Sequence, residues 1–314
     1  MLKKWKYGLY IILFSLTLTV TSIVGVLAVF NADIFNNIGI TYTAQAGDAT
    51  LMSGYEFNEI LFSWASEEDE MGMPNDDYQA CTLIVFDYYT EENRSIVENA
   101  DKCTSVAEDG SDDILMYQVG ETIYILSNHN ILANENSPSM FGYMSELKAI
   151  EFNNFDTSNV TDMSGMFEYC SGLTSLDLSL FNTSNVTYMN QMFGYCSSLT
   201  SLDLSMFDTS NVANMNGMFD NCYGLTSLNL SMFDTSNVTD MSIMFNNSGN
   251  LTTIYVSSSW STLRVEYSGY MFGGCSKLVG GNGTTYNGLY ADVTYARIDT
   301  ASTPGYFTDI ADKP

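Results

Sequence analysis

Apolar residues return along the middle of the chain at a fixed spacing. Phe155, Phe181, Phe207 and Phe233 stand 26 residues apart, and each opens a run of Phe-Asp/Asn-Thr-Ser-Asn-Val. Other ladders keep the same register: Val160, Val186, Val212 and Val238; Met163, Met189, Met215 and Met241; and the pairs Met166-Phe167, Met192-Phe193, Met218-Phe219 and Met244-Phe245. Each unit then carries Leu-x-x-Leu-x-Leu, at Leu173, Leu176 and Leu178, at Leu199, Leu202 and Leu204, and at Leu225, Leu228 and Leu230, fading to Leu251, Ile254 and Val256. Alternation at period two predicts a strand with one buried face, while Val-x-x-Met-x-x-Met-Phe has the three-to-four spacing of a short helical turn. A unit this short closes no core alone, so its apolar residues must stack on those of the next, with strands about 4.8 Å apart. The fold class expected is α/β, a right-handed solenoid of 26-residue units combining a parallel sheet with short helical turns.

Weaker copies extend the array, with Met140-Phe141 through Leu147, Ile150 and Phe152 on one side and Met271-Phe272 through Cys275 and Leu278 on the other. The second is one residue out of register, as expected where a repeat array diverges to cap its core. Gly280-Gly281-Asn282-Gly283 breaks the pattern, and a small cap with strands around residues 292–298 is expected after it. Before the array, residues 82–86 read as a strand and residues 114–126 as a hairpin turning at Gly120-Glu121. The division expected is therefore an N-terminal segment (1–34), a small β-rich domain (35–128), the repeats (129–279) and a C-terminal cap (280–314).

These repeats resemble the BspA-type family of bacterial leucine-rich-repeat surface proteins, whose units run Leu-x-x-Leu-Asp-Leu-Ser-x-Phe-Asp-Thr-Ser-Asn-Val-x-x-Met-x-x-Met-Phe-x-x-Cys. Residues 199–222 follow that pattern throughout, and the likeness extends over roughly residues 130–280. The resemblance implies a leucine-rich-repeat solenoid, export, display at the surface and, for some members, adhesion to proteins of a host or neighbouring cell. It supplies no catalytic residue.

Charge narrows the partners. There are 37 acidic residues against 10 basic ones, a net charge of −27, and residues 149–263 contain no Lys, Arg or His. Nothing there can neutralise phosphates, which excludes nucleic acid as a ligand. Lys3, Lys4 and Lys6 precede an uncharged apolar run at residues 7–30, a positive flank followed by a hydrophobic segment. As a helix this run measures roughly 36 Å, enough to span a bilayer core of about 30 Å. It either stays as an anchor with its lysines in the cytoplasm or is cleaved near Val26-Leu27-Ala28. Both readings place the remainder outside the cytoplasmic membrane, held at the cell surface by the N-terminal helix or secreted.

The candidate chemistry is sparse. Cys170, Cys196 and Cys222 recur once per unit, with Ser248 in the next slot and Cys275 after the shift, and read as small buried residues. Cys81 and Cys103 stand outside the ladder and either form a disulfide or remain separate thiols. Asp177 and Asp203 stack on the outer strand face about 5 Å apart, close to a retaining-glycosidase pair but with no pocket to differentiate them. Asp156, Asp208 and Asp234 open turns in which the side chain caps the backbone, with calcium as the rival use of the stacked carboxylates. No other metal or cofactor is indicated, and no convergent set suggests an enzyme. The Asn-Val-Thr sequons at Asn159, Asn185 and Asn237 recur because the repeat recurs.

The faces of the array differ in variability. Ser175, Ser201 and Ser227, like Ser179, Ser205 and Ser231, do not vary, whereas the turn side does, at Asp162, Tyr188, Asn214 and Asp240 and at Glu168, Gly194, Asp220 and Asn246, with Tyr169 and Tyr195 beside them. The candidate interaction patch is accordingly Asp162, Tyr169, Tyr188, Tyr195, Asn214 and Asp240. The function expected is adhesin-like binding of a protein or glycan on host or neighbouring cells; the alternative is a structural spacer or envelope scaffold with no specific ligand.

Overall fold

The computed structural model describes residues 48–68, 74–79 and 81–314, with residues 47–314 forming one compact unit. The apolar run at 7–30 lies outside the described residues, and among those described no helix is long and apolar enough to cross a membrane.

In chain order the elements are β1 (Asp48–Thr50), α1 (Gly54–Ala65), β2 (Ser66–Glu68), β3 (Pro74–Gln79), β4 (Leu83–Tyr88), α2 (Arg94–Glu98), β5 (Lys102–Ser105), β6 (Ile114–Val119), β7 (Thr122–Ser127), β8 (Asn130–Leu132), β9 (Ala149–Phe152), β10 (Ser227–Asn229), β11 (Thr253–Val256) and β12 (Thr308–Asp309). The expected hairpin is β6–β7, turning on Gly120 at φ +56°, a left-handed conformation that glycine adopts without a Cβ penalty. A five-stranded mixed sheet runs β5-β6-β7-β4-β9, antiparallel through β5, β6 and β7 and parallel from β7 to β4 to β9. Because β9 is the apolar run of the first weak repeat, this sheet passes directly into the repeats. Phe57 of α1 and Phe86 of β4 pack edge-on or stacked with one another and with Phe141, the first ring of the array (ring centroids 5.9–6.1 Å).

The repeats do not form the expected α/β leucine-rich-repeat solenoid. Both α-helices among the described residues precede the array, and no continuous parallel sheet crosses it. Leu176–Leu178 and Leu202–Leu204 are not strands. One long backbone bond, Thr200 N–H to the Thr174 carbonyl (3.4 Å), links the coils there. Only β10, β11 and β12 pair, as a short three-stranded piece at the far end. Where helical turns were expected, consecutive β-turns close instead, as in Met166 N–H to Met163 O, Glu168 N–H to Gly165 O and Cys170 N–H to Phe167 O. Likewise the strands expected around 292–298 are replaced by 3₁₀ turns at Gly288–Tyr290 and Val293–Tyr295.

The reason lies in the backbone. Two residues per coil take left-handed φ, at Ser139, Gly165, Gln191, Gly217, Ile243 and Tyr270 and, four residues on, at Tyr143, Tyr169, Tyr195, Asn221, Asn247 and Gly274. A left-handed residue ends a helix, and each non-glycine one costs about 1 kcal/mol or more. In return, alternate N–H groups point along the stack. Met163, Gly165, Phe167 and Tyr169 donate to the carbonyls of Tyr188, Asn190, Met192 and Gly194 in the next coil at 2.8–3.0 Å, and the pattern repeats at Met189, Gln191, Phe193 and Tyr195. The coils are thus joined on the turn side rather than on the Leu-x-Leu side.

Side-chain ladders complete the stacking. The rings of Phe141, Phe167, Phe193, Phe219, Phe245 and Phe272 form one buried column, centroids 5.4–5.8 Å apart and planes within 13°. Tyr306 and Phe307 close its end edge-on. Each thiol of the cysteine ladder donates to the phenylalanine carbonyl of the preceding coil, as Cys196 Sγ to Phe167 O (3.1 Å) does, and Ser248 Oγ makes the same bond to Phe219 O (2.8 Å). Buried Thr157, Thr183, Thr209 and Thr235 donate through Oγ1 to the next coil at 2.7–3.0 Å. Bulk alternates between two slots on the turn side. Gly165 sits with Glu168, then Gln191 with Gly194, then Gly217 with Asp220, so over these three coils the large residue changes slot from one to the next, until Ile243 and Asn246 fill both slots of the fourth.

Candidate interaction surface

Asp162, Tyr188, Asn214 and Asp240 stack in one column, joined by parallel bridges from each to the next. Three of them are occupied by the fold. Asp162, Asn214 and Asp240 accept the backbone N–H of Ser164, Asn216 and Ser242 at 2.8–2.9 Å, capping the turn that follows. Tyr188 makes no such bond and is 47% exposed.

Tyr169 and Tyr195 lie in a separate column, seven positions along each coil, where their rings stack at 4.1 Å and 9°. Tyr143, which the sequence pattern left unremarked in the weak first repeat, extends the stack at 4.9 Å and 13°. Its only signal was its position 26 residues before Tyr169. The backbone is left-handed at these tyrosines, and each of the three coils buries a phenylalanine ring and carries a tyrosine ring nearer the surface, exposed at Tyr143 and half-buried at Tyr169 and Tyr195. Burial and the neighbouring Glu168 raise the Tyr143 phenol, while the hydroxyl contact with Tyr169 and then burial push that of Tyr195 up to about 12. Glu168 and Asp220 flank the column, and burial raises both carboxyls, Glu168 also through the charge of Asp220.

On the opposite side of each coil, Asp177 and Asp203 accept the N–H of Ser179 and Ser205 at 2.9 Å. Those bonds lower both carboxyls by the same mechanism, which gives no division into acid and base. Asp156, Asp208 and Asp234 cap Ser158, Ser210 and Ser236 at 2.8–3.0 Å. Among the described residues no group of three or more His, Cys, Asp or Glu converges as metal ligands would. Asn185, Asn211 and Asn237 donate through Nδ2 to the preceding coil at 2.7–2.8 Å, and because Asn211 lies outside any sequon the slot is structural. The ladder ends on a cation, Arg264 Nη1 donating to Asn237 Oδ1 at 2.9 Å.

Cys81 and Cys103 do not pair: both are free thiols. Strands β6 and β7 separate β5, which carries Cys103, from β4, which Cys81 precedes. Three strand spacings amount to about 14 Å, against a disulfide limit of about 7 Å between Cα atoms. Where the N-terminal sheet meets the repeats, a polar cleft of about 490 Å³ is lined by Thr50, Glu108, Asn134, Glu135, Asn159 and Thr161. Asn134 already donates there to Leu51 O and Glu108 Oε1 at 3.1 Å.

Residues 135–227 and again 202–287 match a family described as a Mycoplasma protein of unknown function, DUF285. No curated protein and no solved structure matches the chain.

Proposed function

We propose that this chain is an exported cell-surface protein of the BspA type that binds a protein or glycan on a host or neighbouring cell, without catalysis. The observation that carries this reading is the tyrosine column at 143, 169 and 195, a stacked aromatic strip at the surface, exposed at Tyr143 and half-buried at Tyr169 and Tyr195, on a hydrogen-bonded stack of coils. Aromatic residues are enriched at recognition surfaces because they bury a large area at little entropic cost. The slot also varies along the array, carrying tyrosine at 143, 169 and 195 and asparagine at 221 and 247, whereas the serines at 175, 201 and 227 do not change.

The test is a binding screen of residues 35–314 against matrix proteins, glycans and envelope material. Saturable binding that is lost in a Tyr169→Ala/Tyr195→Ala double variant of unchanged melting temperature supports the assignment. Absence of saturable binding turns the molecule into a spacer.

A further inference from the structure

The corner that follows each Leu-x-Leu segment is a β-turn, closed by Phe181 N–H to Leu178 O, Phe207 N–H to Leu204 O and Phe233 N–H to Leu230 O at 3.0–3.1 Å. Polar residues are usual in such turns. In three successive coils the third residue of the turn is instead Leu180, Met206 and Met232, which are 52%, 64% and 60% exposed. The same slot holds Asn154 one coil earlier, buried and bonded to Ile131 N–H and His129 O, and Ser258 one coil later, so the apolar run is confined to these three. Single exposed apolar residues are ordinary, but a contiguous row of them marks a contact surface. Methionine suits such a surface, because its flexible thioether adapts to the shape of a partner.

Acidic columns flank the row on both sides. Asp177 and Asp203 stand three residues before it, and Asp208 and Asp234 two residues after it. Bonds from Ser179, Ser205 and Ser210 lower the carboxyls of Asp177, Asp203 and Asp208, which keeps them charged at neutral pH. Residues 149–263 supply no Lys, Arg or His to answer them. The chain's own Lys313 shows what this side accepts. Its Nζ lies 5.5 Å over the ring of Tyr255, the residue that pairs with Asn229 in the column continuing from Asp177 and Asp203, and its charge adds to the Ser205 bonds in lowering Asp203.

We propose that Leu180, Met206 and Met232 form a docking ridge for a basic amphipathic helix of a protein partner, its apolar side chains on the ridge and its lysines or arginines along the two acidic columns. The spacing fits that occupant. Beneath the ridge the rings of Phe167, Phe193 and Phe219 repeat at 5.7–5.8 Å per coil, and an α-helix rises about 5.4 Å per turn. Each turn of a helix laid along the stack therefore meets one coil, with its anchors at three-to-four spacing. The negative field steers a basic segment towards the ridge. A second copy of this chain would instead bring like acidic columns together, which costs binding energy. The ridge is distinct from the tyrosine column, and the inference does not depend on the reading built on that column.

The test titrates a helical peptide of leucine and lysine, about five turns long with its leucines along one face, into the purified full-length chain and follows fluorescence anisotropy. Salt is held at about 0.15 M, where exposed charges farther than about 8 Å apart are screened. Expected is saturable binding that Leu180→Ser/Met206→Ser/Met232→Ser weakens roughly tenfold or more, the range of lost apolar contact. That variant should keep its melting temperature, since the three side chains are mostly exposed and the next coil already carries serine in the slot. Asp177→Asn/Asp203→Asn should weaken binding about twofold to fivefold, as exposed ion pairs do. Tyr169→Ala/Tyr195→Ala should change it by less than about twofold, as a distant site does. Four results overturn the proposal. These are no saturable binding, unchanged affinity in the triple serine variant, equal binding of a peptide of the same composition scrambled to lack an apolar face, and a dimer formed without peptide that the serine substitutions abolish, which would make a second copy the occupant.

Discussion

Truncating Phe193 to alanine takes one ring from the middle of the buried column. The side chain is fully buried and stacks on Phe167 at 5.7 Å and on Phe219 at 5.8 Å. Nothing on either side can close the space, because both neighbours are pinned by their own coil-to-coil bonds, Phe167 N–H to Met192 O and Phe219 N–H to Met244 O. The loss should therefore fall near the upper part of the usual Phe→Ala range, about 3–5 kcal/mol. A cycle with Phe219→Ala should show coupling of about 0.5–1.5 kcal/mol, the share that belongs to the ring pair itself. The effect should also be local, since each coil touches only its neighbours. In native-state hydrogen exchange the amides of Phe193 and Tyr195, which bond to Met218 O and Asp220 O, should lose protection, while Ile123 and Ile125 of the N-terminal sheet keep theirs. Urea denaturation of the variant and the parent supplies the free energies. A loss under about 1 kcal/mol, or protection falling equally from β7 to the last coil, would refute the view of the column as a chain of independent nearest-neighbour contacts.

Other outcomes follow from the same geometry. The carboxyls of Asp177, Asp203 and Asp208 are lowered by bonds from serine N–H and hydroxyl groups, so their ionised forms stabilise the fold above their unfolded values and that contribution disappears as pH falls through the folded ones. Glu168 is raised, so it acts with the opposite sign and lowers stability as pH rises through its folded value. Glu168→Gln should accordingly raise the melting temperature at neutral pH and leave it unchanged near pH ~3, where the parent carboxyl is protonated; a difference independent of pH would defeat the argument. Cys222→Ser should cost less than about 1 kcal/mol, because Ser248 already fills the equivalent position, and a larger drop in the urea midpoint would show that the hydroxyl cannot replace the thiol. Native thiol labelling followed by mass spectrometry should modify Cys103 alone, since the other cysteines are buried; a second label on the folded protein contradicts their burial. Gly217→Ala should destabilise by about 1 kcal/mol or more, because φ is +61° and the new Cβ meets Gln191 Cγ at 3.1 Å, and adding Gln191→Gly should recover part of the loss.

Repetition made the burial pattern readable. Val160, Met163, Met166, Phe167 and Cys170 are all fully buried, and the alternation at 176–178 placed Leu176 and Leu178 inwards with Asp177 outwards. Burial and hydrogen bonding are separate properties, however. Alternating side chains face in and out of an extended segment whether or not its backbone pairs, so Leu-x-Leu could not reveal that the coils are bonded elsewhere. A spacing of three and four residues is equally ambiguous, because successive β-turns repeat it without a helix. The deciding feature was the left-handed conformation at Gln191, Tyr195 and Ile243, residue types that give no local sign of it. The pairing of β4 with β9 joins segments 66 residues apart at Leu83 and Ala149 and lies beyond any local pattern. Of the candidate surface, Tyr169 and Tyr195 were visible only as neighbours of the varying positions 168 and 194, whereas Asp162, Asn214 and Asp240 vary within a slot that caps a turn.

The alternation of bulk between the two turn-side slots gives the three coils at Gly165, Gln191 and Gly217 a local parity. Deleting the single coil 191–216 would bring Gly165 against Gly217, leaving a hole, and Glu168 against Asp220, placing two buried carboxylates one coil apart at about 5 Å. Deleting the pair 191–242 instead sets Gly165 beside Ile243 and Glu168 beside Asn246, restoring both the packing and a polar partner for the acid. Within residues 165–246, therefore, removing the two coils 191–242 should cost the fold less than removing the single coil 191–216.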